Sequence, residues 1–244
     1  MGRSLLLKSG ALFFRFRNYL FPVFVIVVAL FTSPALFLGR RDWDVVVMIC
    51  GFLIALSGIL FRLFVIGFDY IKRGGKDGHV YADGLVTGGI YNHVRNPMYI
   101  GNFLGIAGIS LIYGSPWVYG LVVPFFAYIY VSIILTEEDY LRKRFGAEFE
   151  AYCKRVNRFI PRFNHLKATL EKSTYDWKKA LRKDYGTFFG MLVGCTMAWL
   201  GKMYHLYGLE QNPHRVPIIA LPLVLLGSLY IGVRYLKKSG RISS

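Results

Sequence analysis

The sequence predicts an all-α fold, a polytopic integral membrane helical bundle of about six spans, and three observations carry that prediction. Hydrophobic residues fill 55% of the 244 positions and charged residues only 18%, whereas a soluble domain sits near one quarter charged. The apolar residues gather in runs near 19–38, 44–67, 98–113, 117–135, 186–207 and 215–236, and a span needs roughly 20 such residues. Lys and Arg fall unevenly between the runs, and that bias sets topology.

Taken in order, the first run follows a basic segment, 1–18, with four Lys or Arg; the 68–97 loop holds four, 136–185 thirteen and 237–244 three. The intervening loops hold only Arg40, Arg41 and Arg215. Both termini and both large polar loops are therefore expected on the cytoplasmic side, which an even number of spans satisfies. The run 98–113 is short and is separated from the next by Gly114-Ser115-Pro116, so 98–135 is predicted to form a tight helical hairpin. The expected organisation is a two-span region over 1–84, a core over 85–161, an amphipathic interfacial linker over 162–185 and a two-span region over 186–244.

The net charge of +16 points to an anionic membrane face, because the basic residues lie between spans; nucleic acid is not an expected partner. Cys50, Cys153 and Cys195 have no metal-ligand or disulfide spacing, so no metal is expected. The opening MGRSLL has Leu6 where the myristoylation pattern needs Ser or Thr. Gly186, Gly190 and Gly194 form a small-residue face that pairs helices within the fold or pairs two copies in a homodimer. Arg62 and Arg234 are expected to snorkel, and Lys202 and His205 to sit at the opposite interface. Leu166, Leu170, Trp177 and Leu181 recur at helical spacing among basic residues, which predicts a helix lying on the membrane surface.

Two polar stretches abut the arms of the hairpin. In YNHVRNPMYIGNFLG, residues 91–105, Asn96 is a strong N-cap residue and Pro97 suits the first helical position. A helix is expected to start there, its free N–H groups and Arg95 facing an anion. In TEEDYLRKRFGAEFEAYCKRVNRFIP, residues 136–161, helical spacing pairs Glu138 with Arg142 and Asp139 with Lys143. Glu137 falls among Ile133, Tyr140 and Leu141, an apolar face where a carboxylate needs a cation. Phe145, Phe149, Tyr152 and Val156 form one stripe, interrupted by Gly146. An anion site, an isolated carboxylate and several aromatic rings suit a small zwitterionic or cationic ligand beside a lipid-accessible cavity.

These stretches resemble the signature of the isoprenylcysteine carboxyl methyltransferase and phospholipid methyltransferase superfamily. Gly89, Tyr91, Arg95, Pro97, Tyr99 and Gly101 match its first half. Glu137, Glu138, Leu141, Phe145, Gly146, Tyr152, Val156, Arg158 and Pro161 match its second, so the resemblance covers about 85–161. Asn96 stands where histidine is commonest and Phe149 replaces a tyrosine; an asparagine cannot carry a proton at neutral pH. The resemblance implies a methyltransferase that binds S-adenosylmethionine at the cytoplasmic edge and takes a lipid-like acceptor from the bilayer. Tyr91, Arg95, Asn96, Pro97, Tyr99, Gly101, Glu137 and Glu138 would then bind the cofactor, with Arg158 and Tyr152 serving catalysis. Two alternatives stay open. Sterol reductases that use NADPH carry a similar Asn/His-Pro-x-Tyr hairpin, and a non-catalytic scaffold of the same fold would keep the motifs' architecture.

Overall fold

The computed structural model describes residues 2–68, 73–76, 79–208 and 211–241. Among the described residues seven helices carry the fold: α1 (Gly2–Phe31), α2 (Arg41–Phe68), α3 (Pro97–Tyr113), α4 (Val123–Arg155), α5 (Leu166–Glu171), α6 (Trp177–Leu206) and α7 (Val216–Lys238). Among the described residues α2, α7 and the stretch Val118–Arg155 are each long and apolar enough to cross a membrane, and α3 is a shorter apolar helix. The protein is an integral, multi-pass membrane protein, largely helical.

Local chemistry sets the helix ends. α1 starts well before the first apolar run and stops at Phe31, because Ser33 precedes Pro34, a position that disfavours the helical conformation. α2 opens with Asp42 and Asp44 in its first turn, where carboxylates meet the positive helix end. α3 begins at Pro97 and ends at Gly114 in the left-handed conformation (φ 72°). A π-helical turn, Val118–Val122, leads into α4. From Val118 to the bend at Gly146 the helix runs about 42 Å at 1.5 Å per residue, beyond the ~30 Å hydrocarbon core. Its C-terminal part, bent at Gly146 (φ 51°), therefore projects past the apolar layer.

A two-stranded antiparallel hairpin, β1 (Arg73–Lys76) and β2 (His79–Ala82), pairs Arg73 with Ala82 and Lys76 with His79. An all-helical expectation lacked it. The helix expected across Leu166 to Leu181 is two helices rather than one. Leu166 and Leu170 of α5 pack on the cluster of Val65, Ile90 and Tyr91. Asp176 then caps α6, accepting from the backbone N–H of Lys179 at 2.9 Å.

The expected tight hairpin opens instead. α3 packs mainly on α2 and α6, while α4 packs mainly on α1. Glycines let α2 and α3 approach: a Cβ at Gly58 would lie 2.6 Å from the carbonyl oxygen of Gly101, and one at Gly51 2.8 Å from that of Gly108. The α1–α4 seam is aromatic, with Phe24 and Phe126 edge-to-face at 5.5 Å. α7 packs on α6, where Tyr185 stacks on Tyr230 at 5.4 Å.

Two buried ion pairs join α2 to α6. Arg62 donates through Nε to Asp184 Oδ2 at 2.9 Å and through Nη2 to Oδ1. At the other end, Lys202 Nζ donates to Asp44 Oδ1 at 2.8 Å, and Tyr207 donates to Oδ2 at 3.0 Å. Arg62 and Lys202 thus point inward to a partner: each meets a carboxylate whose hydrogen bonds offset its desolvation.

Candidate active site

Between α1–α4 on one side and α2–α3–α6 on the other lies a cavity of about 1110 Å³. It runs along α6 from Thr187 to His205, about 27 Å at 1.5 Å per residue. Its length is close to the thickness of a hydrocarbon core, and its wall is apolar along most of that length, including Phe126, Ile106, Ile109 and Met197. Gly190 and Gly194 border it, so the small-residue face of α6 opens onto space; only Gly194 of the three glycines would bring a Cβ against a side chain, that of Ile109.

One end of the cavity is closed by the two sequence stretches, which the chain knits together. Arg95 N–H donates to the Asn157 carbonyl at 2.9 Å, and Arg162 N–H to that of His93 at 3.0 Å. The Tyr152 hydroxyl donates to the Tyr91 carbonyl at 2.6 Å, and Asn96 Nδ2 to the Arg158 carbonyl at 3.4 Å. Gly146 makes this possible: its positive φ folds the end of α4 back, so that Phe149, Tyr152 and Val156 bury against Leu141 and Ala82.

Glu138 is the centre of the knot. Arg158 grips it with two hydrogen bonds, Nε to Oε1 at 3.0 Å and Nη2 to Oε2 at 2.6 Å, and Arg95 Nη1 lies 3.4 Å from Oε1. The Glu138 hydrogen bonds hold the Arg158 guanidinium above its ordinary pKa, so it stays charged. The expected Glu138–Arg142 pair does not form, because Arg142 turns to Glu150, while Asp139 and Lys143 do pair at 2.7 Å. Arg95 also donates to Cys153 Sγ, and its Nε is buried with no partner among the described residues. Asn96 makes no side-chain cap, and its Nδ2 donates to the Arg158 carbonyl.

Glu137 sits differently from its neighbour. It is buried, lines the cavity and accepts from the Tyr99 hydroxyl at 2.9 Å. Tyr91, Asn96, Pro97 and Tyr99 line the same end. Arg95, Glu138, Tyr152 and Arg158 stand behind that wall, and Gly101 packs against the Arg62 side chain. His93 is tied to the Arg162 carbonyl at 2.6 Å and the Thr169 hydroxyl at 2.9 Å. The sequence reading missed Arg17, Asn102, Tyr130 and Thr187, which also line the cavity. Polar residues inside apolar runs were the available signal. Among the described residues, no three His, Cys, Asp or Glu side chains gather where a metal could bind.

The chain is a multi-pass helical membrane protein in which two linked polar motifs close one end of a long apolar cavity. Residues 45–148 match the family model described as phospholipid methyltransferase. Over that stretch the chain is similar to the superfamily that joins these enzymes to the isoprenylcysteine methyltransferases.

Three curated proteins illustrate the range of similarity. The cobalt-zinc-cadmium resistance protein CzcN of Cupriavidus metallidurans is 31% identical over 143 residues, 57% of this chain and 62% of that one. The protein-S-isoprenylcysteine O-methyltransferase of Schizosaccharomyces pombe is 41% identical over 81 residues, 32% of this chain and 33% of that one. The Delta(14)-sterol reductase LBR of Gallus gallus is 30% identical over 98 residues, 38% of this chain but 14% of that one. The chain spans less than two thirds of the length of the curated relatives it matches. No solved structure matches it.

Proposed function

We propose that the protein is an integral membrane methyltransferase that uses S-adenosylmethionine and acts on a lipid-like acceptor at the cytoplasmic membrane face. α1, α3 and α6 complete six spans in this reading, with both termini cytoplasmic. The observation that carries it is the division of labour between adjacent carboxylates. Glu138 is consumed in joining the motifs, which leaves Glu137, with Tyr91, Asn96 and Tyr99, on the wall of the cavity.

The residues present fit the cofactor. Glu137 offers a carboxylate to an ammonium or to ribose hydroxyls from the cavity wall, and the Asn96 and Tyr99 side chains beside it add hydrogen-bonding groups. Tyrosine rings at the wall suit a sulfonium, as they do other soft cations. S-adenosylmethionine supplies a methyl group already activated for displacement, so what the chain must add is positioning and the exclusion of water. Glu138 serves this by fixing Arg95 and Arg158 together, and Tyr152 by clamping the Tyr91 backbone. With Asn96 in place of the usual histidine, no titratable group stands at that position, which favours an acceptor needing no base, such as a carboxylate. The volume, about 1110 Å³, exceeds the ~300–1,000 Å³ of an ordinary small-molecule pocket and leaves room for an apolar chain beside a cofactor.

Calorimetric titration of the protein in nanodiscs with S-adenosylmethionine and with NADPH tests the reading. Saturable binding of S-adenosylmethionine alone is expected. Binding of NADPH alone would overturn it in favour of the reductase that the LBR similarity suggests, and binding of neither would favour a scaffold.

A further inference from the structure

A second hollow, a groove of about 340 Å³, shares no lining residue with the long cavity. Phe61 and Phe64 of α2, Ile100 and Leu104 of α3, and Phe163 and Leu166 beyond α4 line it. From Phe64 inward to Ser57 it follows α2 for about 10 Å at 1.5 Å per residue. The face of α2 beside it exposes Leu53 and Leu60, as a helix face turned to lipid does.

The polar atoms in this groove are spoken for, with one exception. Ser57 Oγ donates to its own helix at the Ile54 carbonyl, 2.7 Å away. A carbonyl only accepts, so His93 Nδ1 donates to that of Arg162, and Nε2 meets the Thr169 hydroxyl. Arg162 N–H returns a bond to the His93 carbonyl. These bonds hold the chain at Arg162 against the stretch that leads into α3, so the groove is preformed. The exception is the Arg162 guanidinium, which is exposed and has no partner among the described residues.

Charge around the groove supplies an independent observation. Residues 151–170 carry five Lys or Arg and no Asp or Glu, and Phe159, Ile160 and Phe163 stand exposed among them. Exposed apolar side chains interleaved with basic ones suit the interfacial layer of an anionic leaflet.

We propose that the groove holds one acyl chain of an anionic phospholipid whose phosphate pairs with Arg162. A guanidinium matches a phosphate through two parallel hydrogen bonds. The lipid is a bound partner and no acceptor, since the groove and the long cavity are separate. It would brace residues 157–166 against 91–97, and so tie the stability of the knotted motifs to the charge of the membrane. The proposal does not depend on the methyltransferase reading.

The test places the full chain in phosphatidylcholine nanodiscs with a small fraction of phosphatidylglycerol bearing a photoreactive group on one acyl chain, and maps cross-linked peptides by mass spectrometry. Labelling is expected in 57–64 and 100–104, and about fivefold less from phosphatidylcholine bearing the same group. R162Q should lower phosphatidylglycerol labelling about fivefold, the factor for one basic side chain at an anionic surface. K167Q, which alters a basic residue outside the groove, should lower it less than twofold. S57F, on the exposed face of α2, fills the groove and should abolish labelling of 100–104. Equal labelling by the two probes would mean ordinary boundary lipid, and equal losses in R162Q and K167Q would mean diffuse attraction. Either result overturns the proposal, as would labelling that survives S57F, or a groove closed to both probes because a second copy of the chain covers it.

Discussion

Replacing Asp184 with leucine should destabilise the protein far more than replacing both Asp184 and Arg62. The pair is fully desolvated, with the Arg62 and Asp184 side chains 8% and 5% exposed, and the two groups meet through parallel hydrogen bonds. No discount for solvent screening applies to such a pair. Removing one partner leaves a buried guanidinium uncompensated, a loss of about 3–5 kcal/mol, whereas apolar replacement of both is often close to neutral. Arg62 also serves Asn102, Met98 and Thr187, so the double variant should lose about 1–2 kcal/mol through neighbours left unpaired. The double variant should therefore be about 1–4 kcal/mol more stable than Asp184→Leu alone, so the losses in the double-mutant cycle are far from additive. Reversible unfolding in mixed micelles, followed by tryptophan fluorescence, measures all four corners. Additive losses, or a single-variant loss below about 1 kcal/mol, would refute the reasoning, because an ion pair of this burial cannot be both intact and inconsequential.

Other expectations follow from the same geometry. Glu137→Gln should weaken S-adenosylmethionine binding about tenfold to a hundredfold, the range for a hydrogen bond to a charged group, with little change in melting temperature; calorimetry beside a thermal scan separates the two. Glu138→Ala should do the opposite in order of severity: melting falls first, because Arg95 and Arg158 lose their shared anion, and cofactor affinity falls as a consequence. Arg158→Lys would then restore less than the wild type, since lysine cannot make the two-pronged contact. Gly146→Ala places a side chain at φ 51° and should cost about 1–3 kcal/mol, with hydrogen exchange accelerated over 147–156 and unchanged in α2. Gly58→Leu should separate α2 from α3 and destabilise by about 1–3 kcal/mol or more, read as lost expression and a lowered melting temperature.

Much of the fold is legible in the sequence because it depends on one-dimensional quantities. Apolar run length suffices to mark helices, and Pro97 and Gly114 mark the ends of α3 within a residue. The convergence of residues 91–99 with 137–158 is implied by the linked motifs rather than by a tight hairpin, since α3 and α4 pack mainly on different partners. What sequence could not supply is which charges meet. Glu138 had a suitable partner four residues away in Arg142, yet Gly146 bends the chain so that Arg158 and Arg95 reach it first. Arg62 and Asp184 are 122 residues apart, and nothing local to either announces the other. The β1–β2 hairpin was a different kind of miss. In the sequence Asp77-Gly78 is a two-residue turn signal, but no run of alternating apolar residues flanks it to reinforce a hairpin.

The two ion pairs between α2 and α6 carry a consequence for how the chain is threaded. On α2 the acidic residue, Asp44, precedes the basic one, Arg62; on α6 Asp184 likewise precedes Lys202, and both spacings are 18 residues. Antiparallel packing in the observed register satisfies all four charges at once. Were the C-terminal helices to insert the other way round, Asp44 would face Asp184 and Arg62 would face Lys202. A slip of one turn would strand all four in an apolar layer. The matched spacing therefore acts as a proofreading key for membrane insertion: α6 can lock onto α2 in one orientation and at one depth, and the same act that completes the topology sets Asn102 against the cavity.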